Sequence, residues 1–245
     1  MTSLLSASPE TVFFAFLRLT AFFVIVPFPG LNAPVLVKVI IAGTLASLLA
    51  HEGASPRFTL EAALIEVLLG VVAGFLVRTI VDAFTFAGEA AGTQMGLASI
   101  GFFNPLDTQM TLLGSGFTFL VLGLFAAGEG PSRLLVFLHH FLEAMPAGQG
   151  RLLFDPRLIT TNVGTNLFVL GLVAASPMIA AVFCAQLVLA VLARAVPTLN
   201  LLIEGPSLTM TAGVVGFFAS VHSFAHLVER AFSVRFEAAF RWLLG

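Results

Sequence analysis

Charge is scarce in this sequence. Asp, Glu, Lys and Arg together make up 10% of its 245 residues, against about 25% in a typical soluble domain. Lys38 is the single lysine, and the net charge of −2 provides no basic surface of the kind that binds nucleic acid. Because so few charges cannot cover a water-facing surface, the composition excludes an ordinary soluble domain and a nucleic-acid-binding protein.

Tyrosine, tryptophan and cysteine are also nearly missing. The chain has no Tyr and one Trp but 26 Phe, whereas membrane proteins usually enrich Trp and Tyr where lipid headgroups meet water. The missing aromatic belt indicates that other protein, rather than lipid headgroups, covers much of the surface. The single Cys184 excludes an internal disulfide and a site of paired thiols.

Apolar residues are abundant instead. They make up 58% of the sequence, and the mean hydropathy is +1.05. Because lipid offers no partners to free backbone groups, runs of about 20 apolar residues predict membrane-embedded helices, and the alternation typical of a β-barrel is absent. We therefore predict an all-α membrane protein with about six long hydrophobic helices interrupted by Pro and Gly. The apolar runs cover roughly 11–28, 33–50, 60–87, 111–127, 163–194 and 207–228, with a shorter run near 133–145.

Proline and glycine clusters between these runs predict where helices end or kink, because proline lacks an N–H and clashes with the preceding turn. The stretch 163–228 is long enough to cross a bilayer twice. Its breaks predict a hairpin of two helices, with Arg194, Pro197, Asn200 and Gly205 at the turn. Further breaks are predicted at 27–30, 53–56, 104–105, 128–131, 146–156 and 176–177.

Glu66, Gly70, Gly74, Arg78 and Asp82 recur every four residues. On a helix this spacing forms one face, on which the two glycines let a second helix approach closely. Arg78 and Asp82 are placed to pair along that face, while Glu66 needs a partner from elsewhere. Three interpretations remain open: a packed face with satisfied charges, a contact between subunits, or a relay for protons or ions, as intramembrane carboxylates can form.

Gly88, Gly92 and Gly96 continue the four-residue spacing, so a close-packed helix face is predicted here too. Glu89 lies beside them and, like Glu66, Arg78 and Asp82, is predicted to take part in buried charge pairing. A polar stretch follows, and a residue within 107–111 is expected to cap the next helix. Non-helical backbone at membrane depth is tolerated only where it is buried in protein or lines a cavity. This stretch is therefore either an ordinary connection or the best functional candidate in the chain. It contains Ser99, Gly101, Phe102, Phe103, Asn104, Pro105, Asp107 and Met110.

His222 and His226 lie four residues apart, a spacing at which two histidines of one helix can bind zinc, and Glu229 follows them. Residue 223 is Ser where a zinc protease has Glu, so histidines without a metal are the favoured interpretation. The Gly-Ser-Gly at 114–116 comes without the partner groups that a serine hydrolase needs. The sequence therefore predicts no catalytic residue, no metal site and no cofactor.

The ordered set of these features resembles one family over essentially the whole chain: the R subunit of the flagellar export gate, shared with the T subunit of virulence type III secretion. The chain departs from the family pattern at Gln186, Thr209 and Asn104, where an acid, a lysine and an Asp are frequent. The residues that carry the resemblance are Phe16, Arg18, Pro27, Pro34, Lys38, Glu66, Gly70, Gly74, Ala87, Gly88, Glu89, Gln94, Met95, Gly96, Asn104, Pro105, Ser176, Pro177, Arg194, Pro197, Asn200, Gly205 and Gly213.

The resemblance implies a non-enzymatic core subunit of a type III protein export gate, in the bacterial inner membrane and the flagellar basal body. It implies assembly with P and Q subunits and with the B subunit, and passage of unfolded secreted polypeptides through a shared pore. It also implies one export-gate domain over 1–245, P-like over roughly 1–160 and Q-like over roughly 161–245. The segment of about 97–112 corresponds to the family's pore plug.

A different class of protein stays open on the residues alone. A polytopic secondary transporter or ion channel would use Glu66, Arg78, Asp82 and Glu89 along its pathway. Such a transporter is expected to show inverted repeats with paired broken helices, and the sequence shows none. The export gate is therefore the favoured hypothesis, and the transporter is the alternative.

Overall fold

The computed structural model describes residues 8–30, 33–50, 58–97, 111–148, 165–195 and 201–244, and every regular element in these ranges is an α-helix. The all-α prediction is confirmed, with seven helices of unequal length in the described ranges where about six were expected. They are α1 (Pro9–Ile25), α2 (Val35–Leu49), α3 (Leu60–Gln94), α4 (Leu112–Ala127), α5 (Gly130–Ala144), α6 (Thr165–Ala195) and α7 (Leu201–Leu244).

Three of the described helices are long and apolar enough to cross a membrane: α3, α6 over Leu167–Ala195, and α7 over Gly205–Val234. A fourth crossing is possible if α4 and α5, which are joined through Gly128 and Glu129, together form one broken span. The 15-residue α2 is apolar but short for a span. The described helices thus provide three or four crossings by length and composition.

The chain divides into two compact units, and the boundary falls inside α3, after Ile80. The first unit contains 1–80, 126–159 and 232–245, and the second contains 81–125 and 160–231. This division differs from the predicted P-like and Q-like parts, which stay a prediction.

Phenylalanine side chains fill the interiors of both units. In the first unit Phe22 of α1 lies 6.3 Å from Phe137 of α5, measured between ring centroids. In the second unit the Phe224 ring of α7 packs edge-on against Phe84 of α3, at 5.3 Å, and against Phe117 of α4, at 5.1 Å. These contacts use a large apolar side chain that carries no polar group needing a partner.

The start and the end of α1 follow standard capping chemistry. Ser8 is the N-cap: its hydroxyl accepts a hydrogen bond from the backbone N–H of Thr11 at 3.3 Å, and Pro9 occupies the first turn. At the other end Val26 leaves the helix with an extended backbone, before Pro27. The helix end before 27–30 agrees with the break predicted there.

Two of the predicted proline breaks do not interrupt a helix. Pro177 lies inside α6 and Pro206 lies inside α7, so the predicted breaks at 176–177 and at Gly205 are wrong as helix ends. At Pro177 the reason is visible, because the carbonyl of Val173 loses its N–H donor but accepts a hydrogen bond of 2.8 Å from the Ser176 hydroxyl instead. A serine beside a proline can in this way preserve a helix in an apolar environment.

Candidate functional site

The glycine-rich end of α3 closes in a Schellman turn, the hydrogen-bonding pattern that commonly ends a helix at a glycine. The N–H of Leu97 donates to the carbonyl of Gly92 at 2.9 Å, and the N–H of Gly96 donates to Thr93 at 3.1 Å. Gly96 has φ +81°, a conformation that glycine adopts at little cost. Gly96 therefore follows the helix instead of lying on its face, and a Cβ there would have nothing within 4 Å in the chain. A close contact of Gly96 with another subunit stays a prediction.

Glu89 of α3 holds the start of α4. Its Oε1 accepts a hydrogen bond from the backbone N–H of Thr111 at 2.6 Å, and the Thr111 hydroxyl accepts one from the N–H of Gly114 at 3.1 Å. A helix start with a hydroxyl on the third N–H and a carboxylate on the cap N–H is a capping box, here with the carboxylate supplied by another helix. Glu89 was predicted to pair with a charge, and the structure gives it this backbone donor.

The glycines of α3 leave the room that this arrangement needs. A Cβ on Gly88 would lie 2.6 Å from the carbonyl oxygen of Leu113, and one on Gly92 would lie 3.0 Å from the Thr111 hydroxyl. A Cβ on Gly114 would overlap the Glu89 carboxylate. The backbones of α3 and α4 therefore approach each other through small residues on both sides.

Leu97 and Thr111, the described residues on either side of segment 98–110, lie at one place on α3. Leu97, before the segment, bonds to the carbonyl of Gly92, and Thr111, after it, contacts the same glycine. The Thr209 hydroxyl of α7 adds a bond of 3.4 Å to the carbonyl of Met95. We call these five residues, Glu89, Gly92, Met95, Leu97 and Thr111, the segment anchor.

All the predicted plug residues from Ser99 to Met110 lie outside the described residues, as do Pro197 and Asn200 of the predicted hairpin break.

The second polar cluster is a buried ion pair in the first unit. Arg18 of α1 and Glu66 of α3 are both 0% exposed. The pair is bidentate, with Nε to Oε2 at 2.6 Å and Nη2 to Oε1 at 3.0 Å. Bidentate geometry is the strongest form of Arg–carboxylate contact. The partner that Glu66 needs is therefore Arg18, 48 residues away in sequence.

Backbone groups complete this pair. The Arg18 Nη1 donates to the carbonyl of Met145 at 2.6 Å, and Glu66 Oε1 also accepts from the N–H of Gly148 at 2.8 Å. The guanidinium carbon lies 5.0 Å from the centre of the Phe141 ring. The pair thus joins α1, α3 and the end of α5, and each charged group is satisfied without water.

Gly70 and Gly74 bring α3 against α1 beside the ion pair. A Cβ on Gly70 would overlap the carbonyl oxygen of Arg18, and one on Gly74 would lie 2.8 Å from the carbonyl oxygen of Phe22. Both glycines therefore lie in close helix contacts within the chain. A contact with another subunit at these positions stays a prediction.

Basic side chains from two other helices cap the end of α1. The Lys38 ammonium donates to the carbonyls of Val24, at 3.3 Å, and Val26, at 3.0 Å, and Arg78 donates to Ile25 at 3.4 Å. Cations at a helix C-terminus interact favourably with its dipole. Burial lowers the pKa of Lys38, and the nearby Arg78 guanidinium lowers it further. The predicted pairing of Arg78 with Asp82 stays a prediction.

His222 and His226 lie on an exposed face of α7, with their Nε2 atoms 3.2 Å apart. The Nδ1 of His226 lies 3.8 Å from a carboxylate oxygen of Glu229. In the described part of the chain no group of three or more His, Cys, Asp or Glu side chains is placed to enclose a metal ion.

Two residues of the predicted hairpin break are described. Arg194 is exposed at the end of α6, and a Cβ on Gly205 would have open space around it.

Sequence reasoning missed the partner of Glu66 and the donor for Glu89. Both contacts join helices that are distant in sequence, whereas residue spacing reports only neighbours within one helix. The sequence did offer one signal: Arg18 lies inside the first apolar run, and a buried arginine needs a partner such as a carboxylate. Glu66 and Glu89 are two of the four acids of α3, the others being Glu61 and Asp82.

Comparison of the sequence with known proteins assigns most of the chain to one family. Residues 10–234 match the model of the family described as bacterial export proteins, family 1. The chain is 31% identical over 181 residues, 74% of its length, to the flagellar biosynthetic protein FliR of Escherichia coli, covering 69% of that protein. With FliR of Bacillus subtilis the identity is 22%, over 97% of this chain and 95% of the relative.

A relative from a different secretion system matches the chain as well. The Yop proteins translocation protein T of Yersinia pestis is 28% identical over 145 residues, 56% of this chain and 54% of that protein. The resemblance drawn from the ordered residues is thereby confirmed. The chain belongs to family 1 of the bacterial export proteins.

Proposed function

We propose that this chain is a non-enzymatic core subunit of a type III protein export gate, and that segment 98–110 closes the pore through which unfolded polypeptides pass. The names of its relatives support the setting, since they are a flagellar biosynthetic protein and a protein of Yop translocation. The flagellar relative from Escherichia coli is 31% identical over 74% of the chain, against 28% over 56% for the Yop translocation protein, so the flagellar system is the proposed setting.

The observation that supports segment 98–110 as the pore plug is the segment anchor. Leu97, before 98–110, is bonded to the carbonyl of Gly92, and Thr111, after it, is bonded to the Glu89 carboxylate beside the same glycine. Flanking residues that are fixed close together on one helix are typical of functional loops carried by a rigid scaffold. Its sequence of small residues, Phe102, Phe103 and Met110 provides apolar contacts without directional bonds, which suits a seal that must yield to a polypeptide.

The proposed setting is the inner membrane and, within it, the flagellar basal body. Three of the described helices qualify as spans, and α4 with α5 adds a fourth if the pair is one broken span. Many large apolar side chains on the single spans are exposed in the isolated chain, Phe168, Phe183 and Phe218 among them. Partner chains would cover such surfaces. We propose P and Q subunits, with the B subunit as a further partner, in one hetero-oligomer with this chain.

A transporter or ion channel is less well supported. Its pathway would need accessible carboxylates, but Glu66 is 0% exposed and is occupied by Arg18 and the N–H of Gly148. Glu89 is engaged by the N–H of Thr111. A satisfied buried pair has a structural role and offers no site for a passing ion.

Co-purification distinguishes the two functions. The tagged full-length chain is co-expressed with the P, Q and B homologues of its own genome, solubilised, and analysed by affinity capture followed by native mass determination. We expect a large complex that contains the P and Q chains. The matched control is an unrelated polytopic membrane protein with the same tag, which should capture neither. A stable monomer that moves a small solute in proteoliposomes would instead support the transporter.

A further inference from the structure

We propose that His222 and His226 form a binding site for a divalent transition-metal ion, of the Zn²⁺ class, on the exposed face of α7. The two side chains come from positions four apart, so they lie one above the other on the helix surface. Their Nε2 atoms are 3.2 Å apart. Neither residue belongs to the segment anchor or to the buried ion pair, so the site is independent of the gate mechanism.

The separation of the two nitrogens matches a metal chelate. Zinc binds histidine nitrogen at about 2.0–2.1 Å with tetrahedral geometry, which puts two such nitrogens about 3.3–3.4 Å apart. The two Nε2 atoms share a hydrogen bond at 3.2 Å, which is close to the separation that one bound ion requires, so an ion can replace the shared proton with little movement of the rings. Imidazole nitrogens suit Zn²⁺, Cu²⁺ and Ni²⁺ and disfavour Mg²⁺ and Ca²⁺.

Glu229 supports the site from the far side of one ring. Its carboxylate lies 3.8 Å from Nδ1 of His226, the nitrogen that faces away from His222. The distance is too long for a hydrogen bond, but a small movement of the exposed Glu229 side chain would let it accept from Nδ1, as carboxylates, carbonyls and waters do behind histidine ligands, and Nε2 would then bind the metal. The described residues supply no third ligand, so water fills the remaining positions.

Water can reach this part of α7. The helix has 44 residues and is therefore about 66 Å long, more than twice the roughly 30 Å of a bilayer's hydrocarbon core. The polar residues His222, His226, Glu229 and Arg230 are all exposed and follow the apolar stretch that begins near 205. These residues lie in the later half of the candidate span Gly205–Val234. A crossing of about 20 residues that begins near 205 ends close to His222 and His226, which suits a position at the membrane boundary.

The test is Zn²⁺ binding to the purified full-length chain, carrying a tag without histidine, in competition with a chromophoric chelator. We expect one bound Zn²⁺ per chain and, on Co²⁺ substitution, an absorption band typical of nitrogen ligation. Either His222→Ala or His226→Ala should remove the binding, and Glu229→Gln should weaken it by about tenfold. All three side chains are exposed, so unchanged helical circular dichroism should show that each variant folds.

The control is a second histidine pair on α5. His139 and His140 are adjacent, so they point to different faces, and His140 has its own acidic neighbour, Glu143, at 3.4 Å. The double variant H139A/H140A should keep the Zn²⁺ affinity of the unmodified chain. Equal Zn²⁺ binding by the unmodified chain and by H222A/H226A would overturn the proposal, as would loss of binding in H139A/H140A alone.

Discussion

Glu66 and Glu89 are carboxylates of the same helix, α3, and the structure satisfies them in different ways. Glu66 is fully buried and bound by an arginine, whereas Glu89 is half-buried and bound by a backbone N–H. An ion pair sealed from water belongs to the framework, since removing one partner leaves the other charge stranded. Removing a carboxylate that binds a single backbone amide should disturb the structure only around that amide. We therefore expect Glu66 to stabilise the fold and Glu89 to position segment 98–110.

The largest effect is expected from removing Glu66. Glu66→Ala leaves Arg18 charged and buried without its carboxylate, so we expect the free energy of unfolding to fall by about 3–5 kcal/mol. Thermal unfolding of the purified chain in detergent measures the change. Glu61→Ala is the matched control, because Glu61 is exposed in the first turn of the same helix and its removal should cost no more than about 1 kcal/mol. Equal melting of the two variants would contradict the structural role of Glu66.

A smaller loss of stability is expected at the glycine contacts. In Gly88→Ala the new Cβ would meet the carbonyl oxygen of Leu113 at 2.6 Å, and overpacking of this kind costs about 1–3 kcal/mol. The control is Gly116→Ala in α4, where a Cβ has nothing within 4 Å. That variant should be neutral or up to about 1 kcal/mol more stable, because alanine favours helix. If both variants melt alike, the close approach of α3 and α4 is not as described.

The smallest effect on stability, and the most local one, is expected at Glu89. Glu89→Ala removes the acceptor of the Thr111 N–H and should cost about 1 kcal/mol. Hydrogen exchange at the Thr111 amide should speed up, and the assembled gate should leak small solutes. Glu129→Ala removes a carboxylate from an exposed pair with Arg133 and should change neither the exchange at Thr111 nor the leak of solutes. A Glu89 variant that matches this control would remove Glu89 from the segment anchor.

Part of this structure was predictable from local chemistry. The apolar runs located the helices, and the breaks at 27–30 and 128–131 fall where α1 and α4 end. The proline inside α6 was misleading, because Ser176 supplies the hydrogen bond that Pro177 cannot. Gly96 was misread for a related reason: four-residue spacing continues past the end of α3, while the backbone there has already turned to φ +81°.

The candidate site was only half predictable. The sequence located the polar stretch after the glycines and identified both carboxylates, since each stands out in an apolar run. Their partners, Arg18 for Glu66 and Thr111 for Glu89, depend on how separate helices pack. A single sequence does not show which helices pack together. The different roles of Glu66, which stabilises the fold, and Glu89, which positions a segment, are therefore visible only in the structure.

The central claim is that segment 98–110 seals the gate. Its most direct test is the deletion of residues 99–108 in a gate assembled with the P, Q and B homologues, followed by measurement of membrane permeability to small ions and solutes. Because the segment anchor is retained, we predict that the complex still assembles and that the membrane becomes leaky. Normal assembly with unchanged permeability would contradict the account.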